Sequence, residues 1–190
     1  MLRKVSFKGK LLTILIMLLI FTVVMSGCGK EAVDSAPSGE NTGQLETTKP
    51  APTKTKVTLY FSDQQSMYLI PEEREVLKAD EGLEEVVIRE LIKGPQKENL
   101  VKTIPEGTEL LSTSVIDNVV YVSFSNEFKS RHWGGTAGEN MTIYSVVNSL
   151  CKLPGIEKVQ FLLEGEKVES ILGHLDTSVP ITPNWEIVSD

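Results

Sequence analysis

In the last third of the chain, hydrophobic and polar positions follow two periods in succession. Apolar side chains recur every three or four residues over Glu139–Cys151, and this spacing predicts an amphipathic helix with a wide apolar face. Pro154 and Gly155 prevent the helix from continuing. The alternation over Lys158–Leu163 then predicts a strand with at least one buried face, which makes Phe161 a core residue. A helix that leads into a strand through a short turn is typical of an α/β sandwich.

The preceding residues predict two strand pairs with another helix between them. Apolar residues at helical spacing from Leu83 to Leu91 indicate the helix, and Gly94-Pro95 ends it. Asp117-Asn118 has the composition of a two-residue hairpin turn. The four strands are predicted at Val57–Phe61, Tyr68–Val76, Leu110–Ile116 and Val119–Phe124.

The predicted order of elements is strand, strand, helix, strand, strand, helix, strand. One sheet that carries both helices on one face would bury every apolar face in this order. We therefore expect an α/β fold of the α+β sandwich type, with a single mixed, mostly antiparallel sheet and two helices on one face.

Pro71 interrupts the second predicted strand, which favours an edge position because proline cannot donate to a strand ladder. Three carboxylates follow it, Glu72, Glu73 and Glu75. We interpret them as a solvated face that blocks edge-to-edge pairing. A metal cluster is the alternative reading, but no neighbouring residue completes a set of ligands, so we expect no metal there.

The first 28 residues contain the parts of a secretory signal. Met1–Lys10 is basic, residues 11–24 are apolar apart from two threonines, and Met25-Ser26-Gly27 precedes Cys28. Cysteine after Ser-Gly resembles the lipobox of bacterial lipoproteins, which implies that residues 1–27 are removed and that Cys28 is lipidated. A transmembrane anchor is the alternative. It needs about 20 apolar residues, and the run reaches that length only if it extends to Cys28.

Residues 28–56 lack the hydrophobic content of a folded segment. Small, polar and charged residues predominate, so the segment cannot bury enough apolar area to offset the entropy of ordering. A flexible coil of about 28 residues spans roughly 30 Å on average. We interpret it as a tether between a lipid on Cys28 and one domain over residues 57–190. This arrangement predicts a location on the extracytoplasmic face of the cell membrane.

The predicted domain is strongly acidic. From Val57 onward 22 acidic residues stand against 11 basic ones, whereas in the residues before it 8 basic residues outnumber 4 acidic ones. Contacts to nucleic-acid phosphates and to anionic lipids need a basic surface. The composition therefore excludes nucleic acid as a partner and leaves membrane attachment to the lipid.

Five short motifs occur in a fixed order along the predicted domain: L-I-K-G-P at 91–95, I-P-E-G-T at 104–108, a hairpin at 116–124, G-G-T-A-G-E at 134–139 and the segment 148–165. Their order and spacing resemble the GerMN domain, the sporulation and spore-germination module. The resemblance covers most of residues 57–176. It implies a fold similar to the ring-building domains of secretion systems, an envelope lipoprotein or secreted protein, and no catalytic residues.

Reactive side chains are few and dispersed. Cys151 lies on the apolar face of the predicted helix, and we interpret it as a small buried hydrophobe. His132 and His174 lack the paired spacing of a zinc site. Cys151, one of these histidines and Asp176 could in principle form a catalytic triad. Any chain that contains these residue types allows such a combination, so it is weak evidence for an enzyme. We therefore expect no catalytic site, metal or cofactor; a hydrolase that uses Cys151 or His132 is the least favoured alternative.

The most distinctive loop is Phe128–Gly138, which places Arg131, His132 and Trp133 beside glycines. Aromatic residues and arginine recur at contact hot spots, so these three residues form the candidate contact site. For Trp133 itself the interpretation that we favour is burial, with the ring covering the edge of the sheet as a lid.

Together these patterns predict a lipid-anchored, non-enzymatic envelope domain. We expect it to bind other envelope proteins or to assemble with further copies of itself, and the resemblance suggests sporulation or germination as the context. The alternative is a domain that binds a cell-wall glycan or a small ligand through the loop Arg131–Trp133.

Overall fold

The computed structural model describes residues 52–189 of the 190-residue chain. The predicted signal segment, Cys28 and most of the predicted tether lie outside these residues. Within 52–189, no helix is long and apolar enough to cross a membrane. The elements are, in chain order, β1 Thr53–Ser62, β2 Leu69–Lys78, α1 Leu83–Lys93, β3 Leu110–Ile116, β4 Val119–Phe124, α2 Glu127–Ser130, α3 Gly135–Leu150 and β5 Lys158–Leu163.

This α+β order confirms the predicted one, with the short helix α2 added. The strands, however, form two sheets where we expected one. β1 and β2 pair antiparallel as a two-stranded sheet. The second sheet has the order β3-β4-β5, in which β3 and β4 are antiparallel and β4 and β5 are parallel.

The division into two sheets follows from how the free edge of β1 is covered. The backbone N–H of Tyr60 donates to Ser149 Oγ at 2.9 Å, and Ser145 Oγ donates to the carbonyl oxygen of Tyr60 at 2.5 Å. Both serines belong to α3. Because helix side chains satisfy these two backbone groups, no further strand can pair with β1 at this position.

Pro71 lies opposite Tyr60 in the pairing of β1 with β2. Because the backbone groups of Tyr60 face α3, those of Pro71 face away from β1 on the outer side of β2. The missing N–H of the proline therefore removes no ladder bond. The predicted edge position of this strand is confirmed.

An aromatic trio joins β4, α2 and β5 in the main core. Phe124, Phe128 and Phe161 are completely buried. The ring centroids of Phe124 and Phe128 lie 4.3 Å apart, and those of Phe128 and Phe161 lie 6.1 Å apart. The prediction of Phe161 as a core residue is confirmed. The apolar face of α3 packs into the same cluster through Ile143, Val146, Val147 and Leu150.

Glu72 does not belong to a solvated face, as we had expected, but is buried in a charged network. It pairs with Arg74, which also contacts Glu90 at 2.8 Å through Nη1. Its second oxygen accepts the backbone N–H groups of Gln96 and Lys97, each at 2.9 Å. Burial alone would raise the pKa of Glu72, but the hydrogen bonds from Arg74 and these two amides outweigh it and lower the pKa. The network ties β2 to α1 and to the turn that follows α1.

The other two carboxylates of this strand are exposed, as predicted. Both form ion pairs with lysines of the neighbouring strand β1: Glu75 with Lys54 at 3.1 Å, and Glu73 with Lys56 at 2.5 Å. Among the described residues, no group of three or more His, Cys, Asp or Glu could hold a metal ion. The sign and spacing of these charges suit an exposed strand edge.

Candidate contact site

The loop Phe128–Gly138 leaves the core from a fixed position. Phe128 is its first residue and is completely buried in the aromatic trio. Just before it, the backbone N–H of Asn126 donates to Glu164 Oε1 at 2.7 Å. The short helix α2 is therefore held from both sides, and its direction determines where Arg131 and the residues after it lie.

Arg131 lies over the turn at Gly107. Gly107 has a φ of +79°, and a Cβ atom built there would lie 2.5 Å from Arg131 Nη1. A Cβ atom would displace only the end of the flexible, exposed Arg131 side chain, so it is the positive φ that favours glycine here. The motif at 104–108 and the loop Phe128–Gly138 thus lie side by side, although they are distant in the sequence.

His132 points inward and is held by α3. Its Nε2 lies 2.8 Å from Thr142 Oγ1, and that hydroxyl donates to the carbonyl oxygen of Thr103 at 2.6 Å. Since the Thr142 hydroxyl donates its proton to Thr103, Nε2 of His132 must be the donor in this contact, and in the neutral ring Nδ1 then carries no proton. Nδ1 is buried and lacks a hydrogen-bond partner among the described residues. Burial lowers the pKa of His132, although the charge of Glu139 raises it in part.

Trp133 occupies the outer position on this loop. Its side chain is 47% exposed, and its ring stacks on His132 with 5.6 Å between centroids and 27° between planes. Our expectation of a buried lid is therefore wrong, because the imidazole of His132 occupies the inner position. Gly138 admits this arrangement, since a Cβ atom there would lie 2.5 Å from the carbonyl oxygen of Trp133. A cleft of about 20 Å³ remains beside the ring, which is room for about one water molecule.

Helix α3 supports the loop through a buried polar stripe that the sequence did not reveal. The carboxylate of Glu139 accepts the backbone N–H groups of Leu172 at 3.0 Å and His174 at 3.1 Å. The side chain of Asn148 donates to the carbonyl of Asn184 at 2.7 Å and accepts its N–H at 3.0 Å. The complete stripe is Glu139, Thr142, Ser145, Asn148 and Ser149.

A polar stripe opposite an apolar face is typical of a solvent-facing surface, which is why we did not predict its burial. One signal was available: Glu139 is the single charged residue in α3. A solvated stripe on a helix of 16 residues would ordinarily carry several charges. The stripe fastens the C-terminal segment and β1 to the helix, and it thereby fixes the surface around the loop.

The residues of the hypothetical catalytic triad, Cys151, one of the two histidines and Asp176, do not form a hydrogen-bonded set in the described residues. Cys151 is free, and burial raises its pKa to about 11, so the thiol is protonated at neutral pH. Asp176 accepts hydrogen bonds from the backbone N–H and the hydroxyl of Ser178. Within residues 52–189, no hydrogen bond joins Cys151 to His132 or His174. This arrangement gives a hydrolase no activated nucleophile at Cys151.

A second exposed tryptophan escaped the sequence reasoning. Trp185 is 44% exposed and borders a groove of about 760 Å³ together with Lys97 and Lys152. Lys152 Nζ lies 5.2 Å from the centre of its ring, and Tyr60 contacts the ring at 6.0 Å in a tilted arrangement. Both contacts reduce the ring surface that is free for a ligand.

These features define a small α+β domain in which one central helix, polar on one side and apolar on the other, fastens two sheets and presents a loop with an exposed tryptophan. Residues 58–169 match the family model described as "Germane: Sporulation and spore germination". The match spans more than half of the chain, and the chain belongs to this family. The resemblance to the GerMN domain is confirmed.

Solved structures agree with this assignment. A "Putative Lipoprotein" from Clostridium perfringens is 29% identical with a TM-score of 0.50, over 68% of this chain and 87% of that one. The tandem GerMN domains of the sporulation protein GerM from Bacillus subtilis are 20% identical with a TM-score of 0.57. That match covers 79% of this chain but only 51% of the tandem. The first GerMN domain of GerM is 19% identical with a TM-score of 0.53, over 71% and 97% of the two chains.

The similarity of this chain to the two GerM structures shows that they share a fold. Among curated proteins, none is significantly similar to this chain.

Proposed function

We propose that this protein is a lipid-anchored, non-catalytic domain on the extracytoplasmic face of the cell membrane, and that it binds another envelope protein through Arg131 and Trp133. Sporulation or germination is the context that its family suggests. The observation that carries the proposal is the half-exposed Trp133 on a loop that is fixed from beneath.

A fixed aromatic side chain suits a protein contact for an energetic reason. Binding orders little of the loop, because Phe128 and His132 already hold it through core packing and the contact with Thr142. Less conformational entropy is then lost on association. Tryptophan and arginine are also the side chains on which interfaces depend most.

The anchor is supported by the signal-like first 27 residues before Cys28 and by the likeness to the C. perfringens "Putative Lipoprotein". Membrane fractionation of the Cys28→Ala protein tests it. The unchanged protein should sediment with membranes, whereas the variant should accumulate as an unprocessed precursor or be released. Cys151→Ala is the matched control and should fractionate like the unchanged protein. Normal processing and anchoring of Cys28→Ala would contradict the proposal.

The contact is tested by cross-linking in native envelopes with the double variant Arg131→Ala, Trp133→Ala. If the loop contains a hot spot worth about 2 kcal/mol, the yield of a specific cross-linked partner should fall about thirtyfold at subsaturating protein. Lys152→Ala with Trp185→Ala is a matched control, because it removes a comparably exposed tryptophan and a cation elsewhere. Circular dichroism must show an unchanged melting temperature. Equal loss in both double variants would argue against a specific role of the loop.

A glycan or small ligand is the second candidate, and the groove beside Trp185 favours it over the loop. This groove combines an aromatic ring with Lys97, Lys152 and Glu73. Sedimentation of the protein with purified peptidoglycan, lost in the Lys152→Ala, Trp185→Ala variant and retained in the Arg131→Ala, Trp133→Ala variant, would favour this function instead of protein binding.

A further inference from the structure

The outer edge of β3 is uncovered. In the part of the chain that the structure describes, α3 covers β1 at Tyr60, and the C-terminal segment covers two other edges. Leu69 of β2 exchanges backbone hydrogen bonds with Ile187 and Ser189, at 2.8 and 3.0 Å. Val159 of β5 does so with Ile181, at 3.0 and 2.8 Å. β3 lies at the end of its sheet and pairs with β4 alone.

The side chains of β3 do not protect this edge. Natural edge strands usually carry charges or proline, and the ends of β1 and β2 carry the ion pairs described above. Leu110–Ile116 contains no charged residue and no proline. Its exposed apolar residues are Leu111, Val115 and Ile116, which are 46%, 45% and 55% exposed.

The backbone of β3 has hydrogen-bonding groups that point outward. Asp117 and Asn118 have φ angles of +49° and +62°, as in a two-residue type I′ turn. Such a turn makes Ile116 and Val119 a hydrogen-bonded pair, and hydrogen-bonded and open pairs then alternate along the ladder. The N–H and C=O groups of Thr113 and Val115 therefore point away from β4, where another strand can reach them.

A groove continues from the start of β3 towards α1. It has a volume of about 610 Å³, and Leu77, Leu110 and Thr108 are among its lining residues. Thr108 is 4% exposed, and its buried hydroxyl has no hydrogen-bond partner among the described residues. A buried hydroxyl is ordinarily paired, so this one is available to a group that enters the groove.

The charges around the edge are mostly acidic. Exposed Glu109 precedes β3 and exposed Asp117 follows it. The groove adds Glu81, while its two cations, Arg89 and Lys93, already pair with Glu85 and Glu90. An uncharged strand between acidic ends favours an occupant that is uncharged in its middle and basic at its ends.

We infer that the β3 edge binds an extended segment of a partner protein by strand addition, with β-branched residues in the middle of the segment and Lys or Arg at its ends. The added strand hydrogen-bonds to Thr113 and Val115, and one end reaches Thr108 in the groove. A second copy of this chain suits the edge less, because it brings the same acidic flanks and the same excess of acidic residues. This inference rests on the proposed contact function and assigns it a second surface.

The test uses the full-length protein in detergent and two synthetic peptides, Lys-Thr-Val-Thr-Val-Thr-Lys and the same peptide with glutamate in place of both lysines. Fluorescence anisotropy measures each affinity, and NMR hydrogen exchange measures protection of the amides of Thr113 and Val115. We expect the lysine peptide to bind about tenfold more tightly at low salt and to protect both amides.

Thr113→Pro removes an outward N–H without removing a bond to β4, so it should weaken peptide binding about tenfold at an unchanged melting temperature. Thr113→Ala is the matched control, because it keeps the N–H and should bind like the unchanged protein. If Thr113→Pro destabilises the fold, Glu109→Gln with Asp117→Asn replaces it and should abolish the preference for lysine.

Three results would overturn the inference: equal binding of both peptides, no protection of Thr113 and Val115, or protection that depends on protein concentration without peptide, which would indicate self-pairing. Trp133→Ala should leave peptide binding unchanged, because it keeps Arg131, which lies over Gly107 beside Thr108. A negative result in the peptide experiment would therefore not contradict the proposed contact through the loop. Likewise, a negative result in the cross-linking experiment would not contradict strand addition at β3.

Discussion

Ser149 Oγ accepts a hydrogen bond of 2.9 Å from the backbone N–H of Tyr60, 89 residues earlier in the chain. A helix side chain thus takes the place of a neighbouring strand at the edge of β1. Ser149 in turn donates to the carbonyl oxygen of Ser145 at 2.6 Å, so the two serines act together. This contact holds the two-stranded sheet against α3.

Ser149→Ala should destabilise the protein by about 1–3 kcal/mol, because it leaves the buried N–H of Tyr60 without an acceptor. Urea unfolding followed by circular dichroism measures the change. Ser130→Ala, on the exposed surface of α2, is the control and should change stability by less than about 0.5 kcal/mol. Equal effects of the two substitutions would mean that the Tyr60 contact contributes nothing specific.

Arg74→Ala should cost about 3–5 kcal/mol, since it leaves Glu72 buried without its cation. The exposed pair Lys54 and Glu75 provides the control, and Lys54→Ala should cost no more than about 1 kcal/mol. Unfolding free energies of both variants decide the point. Arg74→Met with Glu72→Gln should recover part of the loss, because it removes both charges and keeps an acceptor for the backbone N–H groups of Gln96 and Lys97. A mild effect of Arg74→Ala would mean that water reaches Glu72.

Gly107→Ala should destabilise the fold by about 1–2 kcal/mol through its positive φ. A Cβ atom there would also meet Arg131 Nη1, but this is the end of a flexible, exposed side chain that can move aside. A double-mutant cycle with Arg131→Ala, measured by urea unfolding, should therefore be additive to within about 0.5 kcal/mol. A larger coupling would show that the guanidinium is held over the turn.

His132 should make stability depend on pH below neutrality. Its folded-state pKa is lowered from 6.5, chiefly by burial. Just below about pH 6.5 the unfolded chain therefore binds more protons than the folded chain, and stability falls as pH falls. Above that pH the contribution is complete.

His132→Gln keeps an N–H donor for Thr142 but does not titrate. The loss of urea midpoint between about pH 7.5 and about pH 5.5 should be smaller in this variant than in the unchanged protein. His174→Gln is the control, because His174 is exposed, and it should retain the full pH dependence. An identical pH dependence in all three proteins would show that His132 is not the group responsible.

Cys151 should react slowly with iodoacetamide. With a pKa of about 11 its thiolate fraction at neutral pH is far below that of a free cysteine, so alkylation of the folded Cys28→Ala protein should be about a hundredfold slower than in urea. Mass spectrometry measures both rates. Cys151→Ala should also leave partner capture unchanged. Loss of capture in a folded Cys151→Ala protein would contradict the non-catalytic proposal.

The sequence alone determined the order of the five strands and the two long helices and identified Phe161 as a core residue, but it placed Phe128 in the loop and did not predict α2. Periodicity identified α3 and β5, and Asp117-Asn118 identified the hairpin, because these signals depend on neighbours within a few residues. It also predicted that Glu73 and Glu75 are exposed. The family motifs were recognisable for the same reason: each of them is a short turn or helix end with local requirements.

Only the tertiary structure decided which polar residues are buried. Periodicity assumes that the polar side of a helix faces water, yet the stripe from Glu139 to Ser149 faces β1 and the C-terminal segment. In the sequence Glu72 has the same pattern as the exposed Glu73 and Glu75, but in the fold Arg74 and the turn after α1 bury it. Trp133 is exposed because His132 fills the space beneath it. Each outcome depends on partners that are distant along the chain, and local sequence patterns carry no record of such partners.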